Sequence, residues 1–396
     1  MMKIVIHRAL KFSKRIAKPF FNNLILRWTV VSDEQEIIKT LRFCSFLVLK
    51  QVINATSYRL YLIGKLIKTT NFDSAYDSSM LHTYNIYAKE SGKDIKDYSD
   101  IVVLHSNSGE AYIFLTYVLE AFIERYNCKD ILFILTKRYH IDLLEAIHPS
   151  LPYVFIPYAK VPSILVKQTD RYRIFTILED RYYIRFESML RDGKNIHCLC
   201  EILKHLGIAS LKLTFTPLNI CDAHEKSLLT KVSKISLNLN NFVFMTPEAD
   251  SCVSIESSFW QALIEALQAK GIDIFVNLMD SKTKKMLKGC IYKTCSLTFS
   301  EAILLSRKAK SIVSLRSGLV ESLTQSNVPL FSLCTNLKNR GWLQKVDSKH
   351  VLNGFSLKAF PFVRQSFITE IDMSAVSTKK LISNIVDTAL AKKASI

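Results

Sequence analysis

The chain has 396 residues, 49% of them hydrophobic, with only 10 glycines and 9 prolines. This composition excludes a fibrous or disordered chain and suffices for two or more domains, each with its own core. The formal charge of +18 implies an anionic partner: a membrane surface, a nucleic acid or a phosphate-bearing substrate.

The first 30 residues carry Lys3, Arg8, Lys11, Lys14, Arg15, Lys18 and Arg27 and no acid. At helical spacing Arg8, Lys11, Lys14, Arg15 and Lys18 share one side, with Val5, Ala9, Phe12, Ile16 and Phe20 opposite. The pattern predicts a basic amphipathic helix lying in a bilayer interface, ended or kinked at Pro19. A second apolar and basic stretch, residues 37–67, is interrupted by Lys50, Arg59 and Lys65, so it lacks the roughly 20 apolar residues of a spanning helix. Residues 1–70 are therefore expected to be a helical, membrane-associating segment, the alternative being helices that pack on the body. Interleaved cations and the lack of a small-residue cleavage site exclude a signal peptide. The expected location is cytoplasmic, peripheral on the inner face of the cell membrane. Nucleic-acid modules leave recognisable motifs, and none occurs here, so nucleic acid is not an expected partner. Nine cysteines without a Cys-x-x-Cys pair read as reduced thiols, with no metal site expected.

Residues 71–99 are polar and turn-rich and read as a linker. The body begins at 100. Apolar runs at 101–104, 131–135, 153–156 and 175–178 predict buried strands; helical patterns fall at 111–126, 142–147 and 197–206. After the boundary near 235 the rhythm restarts. Strands are expected at 242–245, 272–276, 311–315 and 329–333, and helices at 259–269, 300–308, 320–325 and 378–392. Strand and helix alternate, so the class is α/β with parallel sheets. Two such halves, 100–235 and 236–396, imply a cleft with ligands at the carboxyl ends of the strands.

Four features of residues 240–335 carry a resemblance. These are the strand at 242–245 running into Thr246-Pro247-Glu248-Ala249-Asp250-Ser251, Phe259-Trp260 opening the next helix, Ser300-Glu301-Ala302 beginning another, and Ile312-Val313-Ser314-Leu315-Arg316-Ser317-Gly318-Leu319. Together they resemble the nucleotide-sugar domain of GT-B glycosyltransferases, and more narrowly the heptosyltransferase-like enzymes of bacterial capsule and O-antigen assembly. In the first half, Ser108-Gly109-Glu110 is similar to the Gly-Asp turn of heptosyltransferases, where the acid is the proposed base. This chain has Glu in place of Asp. It also has Ser254, Glu256, Ser257 and Ser258 where those enzymes often place a phosphate-binding Lys.

The resemblance implies two Rossmann-like domains facing a cleft. It implies metal-independent, inverting transfer of a sugar from a nucleotide sugar, as substrate and not cofactor, to a glycan or lipid-linked acceptor. On the donor side Arg316 is a candidate phosphate ligand, with Ser317 and Gly318 offering backbone N–H groups at a strand-to-helix turn. Glu301 is a candidate for the ribose hydroxyls or a helix cap, and Glu248 for the sugar hydroxyls. On the acceptor side Ser108 and Gly109 form the loop; Glu110 is the candidate base and His105 the second. No Gly-x-Ser-x-Gly, Walker loop or Gly-x-Gly-x-x-Gly occurs, which argues against hydrolase, NTPase and dehydrogenase chemistry. The alternatives are a nucleotide-sugar epimerase or pyruvyltransferase-like enzyme on the same fold, and a non-catalytic membrane-bound GT-B-like protein.

Overall fold

The computed structural model describes residues 26–32, 36–43, 46–54, 57–62, 65–71, 92–93, 97–157, 173–178, 180–209, 211–278, 281–338 and 346–391. The chain forms two compact units, the five strands before residue 72 belonging to one and the elements from residue 100 onward to the other.

In the first unit β1 (Leu26–Ser32), β2 (Glu36–Phe43), β3 (Phe46–Asn54), β4 (Ser57–Leu62) and β5 (Lys65–Asn71) form an antiparallel meander in chain order. This corrects the helical expectation for residues 26–70. Runs such as Thr29-Val30-Val31, Ile37-Ile38 and Val52-Ile53 are β-branched, and Tyr58 and Tyr61 are aromatic; such residues favour a pleated surface over a helix. The basic amphipathic stretch at 3–18 lies outside the described residues.

The second unit holds two all-parallel sheets. In the first, β6 (Asp100–Leu104), β7 (Ile131–Leu135), β8 (Tyr153–Phe155) and β9 (Arg173–Ile177) are ordered β8-β7-β6-β9. Every residue of β6 and β7 is buried, which is why both read as unbroken apolar runs. Between β6 and β7 run α1 (Ser108–Ile113), a wider π turn at Phe114–Val118 and α2 (Leu119–Tyr126). Next come α3 (Arg138–Ile147), α4 (Asp180–Arg191), α5 (Cys198–His205) and α6 (Asp222–Ser233). Asp100 starts β6 and pairs with Arg173 at the start of β9, tying the amino ends of the two strands together.

The second sheet is β11 (Asp273–Val276), β10 (Phe242–Thr246), β12 (Ser311–Leu315), β13 (Leu330–Cys334) and β14 (Ile368–Asp372), in that spatial order. Its helices are α7 (Ser257–Gln268), α8 (Ser281–Met286), α9 (Phe299–Lys308), α10 (Val320–Leu323), α11 (Ser348–Gly354) and α12 (Thr378–Leu390). The amphipathic helix α7 buries Phe259, Trp260, Leu263, Ile264 and Leu267. Each such side chain contributes about 1.5–3 kcal/mol. The strand order reverses between β6 and β9 and again between β10 and β12. Those two positions are where an α/β sheet opens a crevice at the carboxyl ends of its strands.

The expected strands fall where the apolar runs placed them. Helices α4, α6, α8 and α11 and strand β14 were not foreseen. β14 is an edge strand with only Ile368 and Ile371 apolar, too weak an alternation to read. Helix α1 starts three residues before the expected position, so Ser108, Gly109 and Glu110 form its first turn and not a loop.

Candidate active site

The carboxyl ends of the two sheets meet. Helix α1, following β6, packs on α10, following β12, and α3 packs on α9. The contact is made by two glycines. A Cβ built on Gly109 would lie 3.0 Å from the Gly318 Cα, and one on Gly318 would lie 2.5 Å from the Gly109 nitrogen and overlap the Ser108 hydroxyl. Only residues without side chains permit this approach. About one turn further along α1, the Tyr112 hydroxyl accepts from the Gln325 side-chain amide at 2.5 Å, a second link between the halves.

Glu110 stands in the first turn of α1, half-buried, beside this junction. Burial, reinforced by the nearby Glu321 carboxylate, raises its pKa from 4.5 to about 7, while Arg316 and Lys137 pull it down. A carboxylate of that affinity is part-ionised at neutral pH and can take up a proton there.

Arg316 is engaged within the fold. It is buried, and its Nη2 donates to Glu321 Oε1 at 2.8 Å and to the Phe355 carbonyl at 3.0 Å. Its Nε also meets the Phe355 carbonyl and its Nη1 the Ser317 carbonyl, while the guanidinium lies 5.4 Å from the centre of the Phe355 ring. Burial works against its charge, but Glu321 outweighs that and holds its pKa above the ordinary arginine value. Arg316 therefore braces the turn from within, its guanidinium paired with Glu321. Glu301 is likewise engaged within the fold. It closes a capping box with Thr298, and its carboxylate also accepts from Ser227 and, at 2.6 Å, from Lys231. Burial opposes the charge, yet these donors outweigh it and keep the carboxyl below its usual pKa. Of the two readings of Glu301, the cap is the one this geometry displays.

The other candidates gather at the strand ends. Ser317 and Gly318 form the turn after β12, and Glu248 lies half-buried on the loop after β10. His105 is buried at the end of β6 near His140. Burial, with Lys137 and His105 adding to it, lowers the His140 pKa to about 3. His140 is thus neutral, and its Nε2–H donates to the Ser106 carbonyl at 3.0 Å.

Several residues at these strand ends were not singled out from the sequence. Lys137, two residues past the end of β7, reaches the Ser106 carbonyl at 3.0 Å and the Asn107 side-chain oxygen at 3.2 Å. Its place two residues past a strand end was the signal available. Lys338, after β13, reaches across to the Ala249 carbonyl at 2.6 Å on the loop after β10. Glu321 lies three residues past Gly318, and nothing local marked it. Among the described residues no group of three His, Cys, Asp or Glu could hold a metal ion, and no helix is long and apolar enough to cross a membrane.

Two successive all-parallel α/β halves, joined where their strands end, give this chain a GT-B-like α/β architecture. It is similar to the glycosyl transferase family 9 structure from Veillonella parvula DSM 2008 at 10% identity, over 74% of this chain and 98% of that one, with a TM-score of 0.45. It is similar to E. coli ADP-heptose lps heptosyltransferase II at 11% identity, over 74% and 98% of the two chains, with a TM-score of 0.45. It also resembles a putative UDP-N-acetylglucosamine 2-epimerase from Listeria monocytogenes at 11% identity, over 75% and 89%, with a TM-score of 0.37. No family model matches the sequence, and no curated protein does.

Proposed function

We propose that the chain is a metal-independent, inverting glycosyltransferase that uses a nucleotide sugar, with Glu110 as the base. One observation carries the reading. A carboxylate whose pKa is raised to about 7 stands in the first turn of the helix after β6, where the carboxyl ends of both sheets meet. The acceptor hydroxyl gives its proton to Glu110 while its oxygen forms a bond to the anomeric carbon. The bond from that carbon to the diphosphate breaks, and its electron pair leaves with the nucleoside diphosphate. Lys137 and Lys338 are the cations at the strand ends in a position to meet that charge, in place of Arg316. Glu248 is retained as a candidate for the donor sugar's hydroxyls.

The acceptor is a glycan or lipid-linked glycan of bacterial surface polysaccharide synthesis, met at the inner face of the cell membrane. Support for this comes from the net charge of +18 and the basic amphipathic pattern of residues 3–18.

The test is Glu110→Gln against a panel of nucleotide sugars. Donor binding, read by saturation-transfer NMR, should survive, and nucleotide release on transfer should fall about 10²–10⁴-fold, the range of general-base catalysis. Near-normal turnover would pass the role to His105. An epimerase acting on the donor alone would convert the sugar without transferring it, which the same assay separates.

A further inference from the structure

We propose that Glu321 is a positioning residue for the transfer, its carboxylate set against the first turn of α1 so that its charge makes Glu110 the stronger base. The inference rests on Glu110 being that base.

The geometry begins with the two glycines. A Cβ on Gly109 would lie 2.8 Å from Glu321 Oε1, so the carboxylate rests on the bare face of the residue that precedes Glu110. The approach exists because neither Gly109 nor Gly318 has a side chain to hold the turn and the helix apart. Glu321 is itself 6% exposed. Its Oε1 is held by Arg316 at 2.8 Å, while its Oε2 is buried with no hydrogen-bond partner among the described residues. A buried carboxylate oxygen without a donor is destabilising. What the fold gains in return is a fixed negative charge beside Glu110.

The groups facing Glu110 come from four directions. Arg316 and Glu321 belong to the β12 turn and α10, Lys137 and Tyr139 to the start of α3, Tyr182 to α4 and Cys198 to α5. Among the charged ones Glu321 strengthens proton binding at Glu110, and Arg316 and Lys137 weaken it. The Arg316 charge is already engaged by Glu321 and the Phe355 carbonyl. When Glu110 takes the acceptor's proton it becomes neutral, and its repulsion with Glu321 is relieved in the same step.

The test is a pH titration of carboxyl carbons in the full chain labelled at glutamate, with no substrate present. The Glu110 signal is assigned by its loss in Glu110→Gln. Its midpoint should lie near 7 in the wild type and move towards 4.5 in Glu321→Gln. The acid limb of the kcat/KM profile for nucleotide release should move the same way, and Glu321→Asp should restore most of both. If Glu321→Gln leaves Arg316 unpaired and fails to fold, Glu321→Gln combined with Arg316→Met removes both charges. The same downward shift is expected there, because the effect of Glu321 on Glu110 exceeds that of Arg316. An unmoved midpoint in a folded variant overturns the proposal while leaving the transferase reading intact. A shifted midpoint with normal turnover in Glu110→Gln overturns the base assignment instead.

Discussion

Replacing Gly318 with alanine tests whether the two halves meet as described. The new Cβ would lie 2.5 Å from the Gly109 nitrogen, where ordinary contact begins at 3.4 Å, and that neighbour is backbone, which cannot swing aside. Helix α1 and the β12 turn must therefore part by about 0.9 Å, the difference between those two distances. Overpacking of this kind costs about 1–3 kcal/mol. For a large domain each kcal/mol lowers the melting temperature by about 2–4 °C, so calorimetry should record a fall of about 2–12 °C. Turnover should fall further than stability explains, because a displacement of about 1 Å at reacting groups can cost about 10²-fold. Gly271→Ala is the control. Gly271 has φ of 69° and no atom near the missing Cβ, so its substitution should cost stability through backbone strain and leave turnover unchanged. A Gly318→Ala protein with the wild-type melting temperature and normal turnover would refute the contact.

Arg316→Ala leaves the Glu321 carboxylate buried without its partner and should cost about 3–5 kcal/mol in urea unfolding, the scale for breaking a buried ion pair. A loss below about 1 kcal/mol would contradict the bracing role of this pair. An unfolded glutamate ionises near 4.5, whereas Glu110 in the folded protein keeps its proton up to about 7. The folded state binds more protons between those values, so this group adds stability as pH falls from about 7 to 4.5. Glu110→Gln should flatten that part of the unfolding midpoint against pH, and an unchanged curve would contradict the raised pKa. Deleting residues 1–30 should release the protein from anionic vesicles, and salt should weaken binding of the intact chain; equal binding with and without the segment would remove the membrane reading.

Much of the α/β body was legible in the sequence because its signals are local. Strands β6, β7, β10 and β12 are buried on both faces and therefore appear as unbroken apolar runs. The turns at Ser108-Gly109-Glu110 and Arg316-Ser317-Gly318 stand where a strand hands over to a helix, so both could be placed at the carboxyl ends of strands. The meander of residues 26–71 was misread because cations interleaved with apolar residues fit a helical face as well as a pleated one. β-branching, the discriminating signal, was given too little weight there.

The roles of the charged residues were a different matter. The resemblance nominated Glu110, Glu301 and Arg316 alike, since a carboxylate or guanidinium at a helix start looks the same whether it waits for a ligand or serves the fold. Only the tertiary structure shows which groups surround each of them. Lys231 and Ser227, on α6, engage Glu301; Glu321 and the Phe355 carbonyl engage Arg316; and burial, with the Glu321 carboxylate adding to it, raises the pKa of Glu110 to about 7. The reason is physical. Backbone periodicity is set by neighbours in the chain, whereas a charge takes its protonation and its partner from whatever distant residues the fold packs around it. Here that packing depends on two glycines, one in each half, whose missing side chains let the halves touch.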